Sequence, residues 1–188
     1  MAYFPMYMEL KSLKVLLVGG GYIATEKLEK LLDFTKEITV ITSEVGPESR
    51  ELIETHGLTL YLKAYEAGDI EGFDIVIVAT DTVDLHQAIY EESRGKRILV
   101  NSVDNTEYCD FIFPSYVQKG DLTIAFSTGG ASPAFAKYIR KHFEKIIPDS
   151  TAAFLQKMKA LRSTMPKGKE RMQYFDSMVE KYFKENFK

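Results

Sequence analysis

Short apolar runs alternate with longer polar segments along the first 112 residues. The runs are rich in Val, Ile and Leu, and they start at Lys14, Ile38, Leu58, Asp74 and Arg97. The segments between them are mostly compatible with helices, a rhythm typical of strand–helix–strand units. Runs that are apolar on both faces favour parallel strands covered by helices on both sides. The pattern therefore predicts an α/β fold with a doubly wound, five-stranded parallel sheet that ends near residue 112.

The pattern changes after residue 112. Two extended runs flank Lys119-Gly120-Asp121, which predicts a β-hairpin. A helix follows, with Ser132 as its N-cap and Pro133 at its first position. Two further helices are predicted over residues 151–162 and 169–187. The chain thus divides into a sheet domain (1–112), a hairpin plus helix (113–147) and a small helical C-terminal domain (148–188).

Composition indicates a soluble globular chain. Its 188 residues are 45% hydrophobic, enough to bury a core. The single cysteine, Cys109, rules out an internal disulfide framework. No signal-peptide pattern opens the sequence, and no apolar run approaches the roughly 20 residues that span a bilayer. A cytoplasmic protein with no membrane partner is expected.

The formal net charge of -3 is unevenly distributed. Residues 151–188 contain 9 Lys and Arg against 4 Asp and Glu. A basic tail is sometimes a nucleic-acid contact. Here aromatic residues and methionines recur at helical spacing, which favours a solvated helical face, and no nucleic-acid partner is expected.

A glycine motif follows the first predicted strand. Gly19-x-Gly21-x-x-Ala24 stands between that strand and a helix. In this context glycines permit a tight turn, a close approach of a pyrophosphate, and close packing of helix on strand. The helix N-terminus adds free N–H groups that favour phosphates. The alternative is a purely structural turn, but the position favours a dinucleotide site on a Rossmann-like sheet.

Two further strand ends border the expected nucleotide crevice. After the second strand, Glu44 is the one carboxylate near the expected ribose position, and no Arg or Lys lies in that turn to meet a 2′-phosphate. NAD is therefore favoured over NADP. Thr80 and Asp81 end the fourth strand and are expected to border the crevice, although Asp81 is equally suited to cap the next helix.

Four blocks of sequence together resemble a known enzyme family. They are "GGGYIA", "VATD", "VNSVD" followed by "CDFIFP", and "STGGASP" leading into a helix. In this order they are similar to the precorrin-2 dehydrogenase/sirohydrochlorin chelatase family, which includes the amino-terminal module of sirohaem synthase. The resemblance covers about residues 3–145. It implies NAD-dependent oxidation of precorrin-2 to sirohydrochlorin, with ferrous iron insertion as a further step in bifunctional members, and a homodimer held by a dimerisation region.

The resemblance also implies roles for individual residues. It assigns catalysis to Asp104 and NAD contacts to Tyr22, Ile23, Ser43 and Glu44. From the residues alone, a carboxylate just past the fifth strand suits a general base or a transient oxygen ligand for a divalent metal. The alternative is a loop aspartate that forms an Asx turn with Thr106. Asp110 is expected in buried packing.

A tetrapyrrole with many carboxylates needs cations or helix N-termini. The "STGGASP" block and its helix supply both. The residues expected to contact the substrate are therefore Thr128, Gly129, Gly130, Lys137 and Arg140. A solvated helix face is the alternative for the two cations. His56, His86 and His142 lack metal-ligand spacing and are expected to be structural, and Cys109 is expected to be a packed thiol.

The chain after residue 113 contains more apolar surface than a small appendage can bury alone. The apolar residues are Phe126, Phe135, Ile139 and Phe143, and they favour pairing with a second copy. Two other functions stay open at this point. One is a module that senses NAD without chemistry, and the other is a family member that dehydrogenates without chelation or acts on cobalt.

Overall fold

The apolar runs of the first 112 residues form one parallel sheet in the computed structural model, which describes residues 3–187. The elements are β1 (Val15–Val18), α1 (Tyr22–Leu32), β2 (Ile38–Thr42), α2 (Pro47–His56), β3 (Thr59–Leu62), β4 (Ile75–Val78), α3 (Val83–Ser93) and β5 (Leu99–Ser102). The strand order is β3-β2-β1-β4-β5, and every neighbouring pair is parallel. The predicted α/β fold with a five-stranded, doubly wound sheet is confirmed.

The core of this sheet lies in its central strands. Every residue of β1 and β4 is buried, whereas β3, at one edge, is largely exposed. α1 packs its buried Ala24, Leu28 and Leu31 inward, at helical spacing. Fully burying one such large apolar side chain stabilises the fold by about 1.5–3 kcal/mol. The chain crosses from one side of β1 to the other between β3 and β4, so a crevice opens at the carboxyl ends of β1 and β4.

The other edge of the sheet is covered by the chain itself. The N–H of Asp110 donates to the carbonyl of Val100, and the Asp110 carboxylate accepts from the Val100 N–H, both at 2.8 Å. The Asn101 side-chain amide donates to the carbonyl of Phe111 at 2.8 Å. Residues 109–111 therefore satisfy the edge groups of β5, which would otherwise be open to pairing with another chain.

Asp110 was expected in buried packing, but it forms a half-buried ion pair. The Arg94 guanidinium donates to both carboxylate oxygens, at 2.7 and 2.9 Å, and lies over the Tyr90 ring. Burial raises the pKa of the Asp110 carboxyl, but the hydrogen bonds from Arg94 and Val100 outweigh it and hold the pKa below its usual value. The physical reason for the difference is that a carboxylate is costly to bury without charged partners.

A second unit begins at Phe113. It contains β6 (Ser115–Lys119), β7 (Leu122–Phe126), α4 (Pro133–Ile146), α5 (Thr151–Thr164) and α6 (Lys169–Asn186). β6 and β7 pair antiparallel, so the predicted hairpin is confirmed. α4 begins as predicted, since the Ser132 hydroxyl accepts from the Phe135 N–H and Pro133 follows. The division at residue 147 and the dimerisation role stay predictions. No described helix is long and apolar enough to cross a membrane.

The apolar residues of this unit are less exposed than the sequence suggested. Phe126 and Phe143 pack against each other with ring centroids 5.1 Å apart, and Ile139 is half-buried. Phe135 is 60% exposed, and Tyr138, which the sequence analysis passed over, is 74% exposed. The difference arises because the hairpin folds back on α4 and covers the side with Ala136, Ile139 and Phe143, whereas the adjacent side with Phe135 and Tyr138 stays open.

We expect Asp110→Ala to destabilise the first unit by roughly 1–3 kcal/mol, because it leaves Arg94 and the Val100 N–H without their acceptor. Because the pKa of the Asp110 carboxyl is lower in the folded state, its ionised form stabilises the fold above the unfolded-state pKa of about 3.9. This stabilisation is lost as the pH falls through the folded-state pKa. The difference from wild type should therefore shrink below about pH 4. Urea unfolding followed by circular dichroism measures both effects.

The matched control for this prediction is Asp149→Ala. Asp149 pairs with Lys119 at 2.6 Å, but its side chain is fully exposed. The control should leave the midpoint close to wild type, because the carboxylate that it removes is fully exposed and Lys119 keeps the Ile147 carbonyl as an acceptor. Equal shifts for the two variants would contradict a structural role of the Asp110–Arg94 pair.

Candidate active site

The glycine turn after β1 lies against the ends of two neighbouring strands. Gly19 has a φ of +125°, and a Cβ there would collide with the Ala79 carbonyl oxygen after β4. A Cβ on Gly20 would collide with the Glu44 carbonyl oxygen after β2. Both positions therefore require glycine for reasons of packing alone.

Gly21 is different, because no atom lies within 4 Å of a Cβ built on it. Its φ of -85° is open to any residue, so neither packing nor strain within the described chain demands a glycine. Gly21 is the N-cap of α1, and the first turn contains no acidic residue. The first N–H groups of a helix lack intrahelical partners and favour an anion. This open, uncharged helix start fits the pyrophosphate of a dinucleotide.

The loop after β2 closes over the same turn. The Gly46 N–H donates to the Gly20 carbonyl at 2.8 Å, and the Thr42 hydroxyl donates to the Glu44 carbonyl at 2.6 Å. These bonds place Ser43 and Glu44 beside the glycines, both exposed. Their side chains have no hydrogen-bond partner within residues 3–187. The loop is therefore free to bind hydroxyl groups of a ligand.

A cavity of about 240 Å³ opens at the carboxyl ends of β4 and β5. Its lining residues are Ile23, Ala79, Thr80, Asp81, Val83, His86, Val103, Asp104 and Asn105. The fold thus brings together four residues that the sequence analysis named: Ile23, Thr80, Asp81 and Asp104. Tyr22 and Ala24 flank Ile23 on α1, with Tyr22 exposed and Ala24 buried.

Asp104 has a left-handed backbone, with a φ of +61°, and no other non-glycine residue in the described chain has a positive φ. It lies in a turn that the Asn105 N–H closes by donating to the Ser102 carbonyl at 3.3 Å. Its exposed carboxylate has no hydrogen-bond partner within residues 3–187, so the alternative Asx turn with Thr106 is not formed. Aspartate tolerates this conformation better than most residues, but at some cost.

The Asp104 carboxylate also affects a neighbouring cation. Burial lowers the pKa of the Lys27 ammonium on α1, and the charge of Asp104 opposes that effect. Asp81, the second carboxylate of the cavity, is exposed and is not a helix cap. The N-cap of α3 is Thr82, which makes no side-chain capping bond. The alternative of Asp81 as a cap is therefore wrong, and its side chain remains available at the cavity.

His86 is the cavity residue whose role the sequence analysis missed. It is 3% exposed, and its ring bonds to both strand ends. Nε2 lies 2.9 Å from the Thr80 carbonyl oxygen, and Nδ1 lies 2.8 Å from the Ser102 hydroxyl. The histidine is structural, as expected, but its partners lie at the cavity. The sequence signal was its position one turn into the helix after "VATD".

Cys109 is a packed thiol, as expected. Its Sγ accepts from the Ser102 N–H at 3.1 Å, and the thiol donates to the Ser102 carbonyl at the same distance. Burial raises the pKa of this thiol, which keeps it protonated and unreactive.

The second unit holds the predicted substrate residues in a loop and on α4. The Thr128 hydroxyl accepts from the Ser132 N–H at 3.0 Å and so closes the loop. Gly129 and Gly130 both have positive φ, with open space around them. Arg140 pairs with Glu144 at 2.7 Å, whereas Lys137 is exposed and has no partner within the described residues.

Comparison with known proteins identifies the family. A family model described as "Putative NAD(P)-binding" matches residues 6–115, more than half of the chain. The chain belongs to this NAD(P)-binding family. A second model, described as sirohaem biosynthesis protein central, matches residues 119–146. The resemblance to sirohaem biosynthesis enzymes that the four sequence blocks indicated is confirmed.

Curated relatives and a solved structure agree with this assignment. A siroheme synthase of Methylococcus capsulatus is 36% identical and aligns with 96% of this chain and 39% of its own length. One of Pseudoalteromonas atlantica is 36% identical, over 88% of this chain and 36% of its own length. The chain therefore spans less than two-fifths of these relatives. The solved structure of SirC, precorrin-2 dehydrogenase, has a TM-score of 0.81 at 23% identity, over 96% of this chain and 91% of that one, which shows a shared fold.

Proposed function

We propose that this chain catalyses the NAD-dependent oxidation of precorrin-2 to sirohydrochlorin, a step of sirohaem biosynthesis. The observation that carries the proposal is Asp104, a carboxylate without a hydrogen-bond partner in residues 3–187 that is held in a strained conformation at a cavity beside an open glycine turn. Strain of this kind is concentrated at functional sites. The names of the curated relatives and of the structural neighbour supply the substrate class.

The cofactor of the proposal is NAD, which when bound accepts a hydride. Gly19, Gly21, Tyr22, Ile23 and Ala24 form the turn and helix start that would hold its pyrophosphate. Glu44 would accept hydrogen bonds from ribose hydroxyls, with Ser43 beside it. No Lys or Arg lies in residues 43–46 to neutralise a 2′-phosphate, which favours NAD over NADP. Thr80 and Asp81 would line the same crevice.

Asp104 is proposed as the general base. Removing a hydride from the substrate leaves a proton to be taken up, and a carboxylate without a hydrogen-bond partner has free lone pairs to accept it. Its exposed position at the cavity mouth gives a bulky substrate access. If the chain also inserts ferrous iron, the same oxygens are suited to be a transient ligand that guides the metal substrate.

The second unit is proposed to bind carboxylates of the tetrapyrrole. Lys137 and the backbone at Gly130 are suited to this, because Lys137 is exposed without a partner among the described residues and no described atom lies within 4 Å of a Cβ built on Gly129 or Gly130. The N–H groups of Gly129, Ala131 and Ser132 already donate within the loop, to the Ser127 hydroxyl, the Thr128 carbonyl and the Thr128 hydroxyl. Arg140 was expected to contribute equally. Its pairing with Glu144 satisfies part of its charge, so we propose a smaller contribution from it.

The glycine turn yields the test of cofactor binding. Gly21→Val should weaken NADH binding by at least about tenfold, because its side chain fills the space that a pyrophosphate would occupy. Titration followed by NADH fluorescence measures the affinity. Gly168→Val is the matched control: Gly168 is also a helix N-cap, with an extended φ of 163° and an open Cβ position. Equal affinities of the two variants would contradict the assignment.

Asp104 provides the test of mechanism. Asp104→Asn keeps a residue that tolerates positive φ but removes the base, so turnover should fall by about 10² to 10⁴ with NADH binding retained. Anaerobic NADH formation from precorrin-2 measures the oxidation, and sirohaem absorbance after ferrous or cobaltous ion is added measures chelation. Asp84→Asn changes an exposed carboxylate on α3 that does not line the cavity, and it should keep the full rate.

Two results would contradict the role of Asp104 as base. One is a full rate of oxidation in Asp104→Asn, and the other is a defect confined to chelation, which would leave oxidation to positioning alone. NADH binding by a wild-type chain that oxidises no precorrin-2 would instead indicate an NAD-sensing module without chemistry.

We also propose that the chain is a homodimer formed through the second unit. Phe135, Tyr138 and Ile146 leave an exposed apolar face on α4. A second copy would bury this face.

Light scattering should therefore give about twice the 21.4 kDa mass of one chain at micromolar concentration. Phe135→Glu should yield monomers, because it places a charge in the buried face. Met172→Glu changes a residue on α6 of similar exposure, 61% against 60%, and should remain dimeric. A wild-type mass of one chain would exclude the dimer.

A further inference from the structure

We propose that His86 is a positioning residue that holds Asp104 in its working conformation. The inference rests on the proposed function of Asp104. It adds a residue that links the conformation of Asp104 to the wall of the cavity. His86 lies on α3 and lines the cavity. It acts through its hydrogen bonds to the protein, not as an acid or base, and it does not need to touch the substrate.

The hydrogen bonds of the ring define its role. A carbonyl oxygen only accepts, so the Nε2 that lies 2.9 Å from the Thr80 carbonyl carries a hydrogen. In the neutral ring Nδ1 is then an acceptor, and the Ser102 hydroxyl donates to it at 2.8 Å. Thr80 follows β4 and Ser102 ends β5. One buried side chain therefore joins the two strand ends that form the cavity wall.

Ser102 in turn controls the conformation of Asp104. It is the first residue of the four-residue turn that contains Asp104, and its carbonyl accepts the closing bond from the Asn105 N–H. Its N–H and carbonyl also contact the Cys109 thiol, and the Val103 N–H donates to the Val78 carbonyl at 2.9 Å. A strained residue persists only where its surroundings over-determine it. The bond from His86 fixes the one group of Ser102 that the backbone leaves free, its hydroxyl.

An apolar ring of similar size would fill the space but not replace these bonds. With His86→Phe, the Thr80 carbonyl and the Ser102 hydroxyl lose their partners inside the protein. The turn is then held by fewer hydrogen bonds, so Asp104 relaxes more easily toward negative φ. His86→Gln is the conservative counterpart, since its side-chain amide offers one N–H donor and one oxygen acceptor.

A double-mutant cycle separates positioning from general damage. His86→Phe should lower kcat by up to about a hundredfold, with a smaller change in KM, because a displaced base loses its geometry. His86→Gln should recover most of the rate. In the Asp104→Asn background, His86→Phe should have little further effect, because the group it positions is already absent. Equal losses in both backgrounds, or equal rates for the Phe and Gln variants, would overturn the proposal.

Amide hydrogen exchange gives a readout that does not use activity. Exchange at Asn105, whose N–H closes the turn, should be faster in His86→Phe than in wild type or His86→Gln, while exchange at Leu17 in β1 should stay unchanged. Unchanged protection of Asn105 in His86→Phe would overturn the proposal. If His86→Phe fails to fold, Ser102→Ala removes the bond at Nδ1 alone and should also accelerate exchange at Asn105. If the wild-type chain is inactive but these exchange differences are observed, the proposed function is wrong. The positioning of the turn by His86 is then still supported.

Discussion

The close approach of the glycine turn to the ends of β2 and β4 is the constraint on which the site depends. A Cβ on Gly19 would collide with the Ala79 carbonyl, and one on Gly20 would collide with the Glu44 carbonyl and the Thr42 side chain. Since both carbonyls belong to the backbone, neither can move aside without breaking a strand end. The result is that three strand ends meet at one place. The open side of Gly21, the loop with Ser43 and Glu44, and the residues Thr80 and Asp81 all take their positions from this contact.

Charged side chains are bonded differently at the outer edge of β5 and at its carboxyl end. On the outer edge, Asp110 is bonded by Arg94 and by the backbone, and it serves to cover the strand. At the carboxyl end, Asp104 and Asp81 line a cavity, and Asp104 has no bonding partner in residues 3–187. A carboxylate that satisfies its lone pairs internally stabilises a fold, whereas one that does not is available to a ligand or a proton. The contrast between the two carboxylates is the physical reason for proposing Asp104, and not Asp110, as the base.

The two units differ in how their loops are bonded. The first combines a buried parallel core with a small cavity, at whose wall His86 and Cys109 form buried hydrogen bonds. In the second, two glycines with positive φ and an exposed lysine surround a helix start that has its own Ser132 cap. This loop is the part of the second unit that we propose to contact substrate carboxylates.

The sequence by itself determined the elements and their class. Alternating apolar runs fix strands and helices through local burial, and the glycine motif marks the first strand–helix turn, so the parallel sheet followed from residues 14–112. The family followed from four blocks of sequence, the last of which is the STGGASP block at residues 127–133. Only the tertiary structure decided which polar groups are satisfied. The ion pair of Asp110, the bonds of His86 to Thr80 and Ser102, and the pairing of Arg140 with Glu144 depend on where separate segments meet. Hydrogen bonds require atoms within about 3 Å, and that proximity is set by packing between segments distant along the chain.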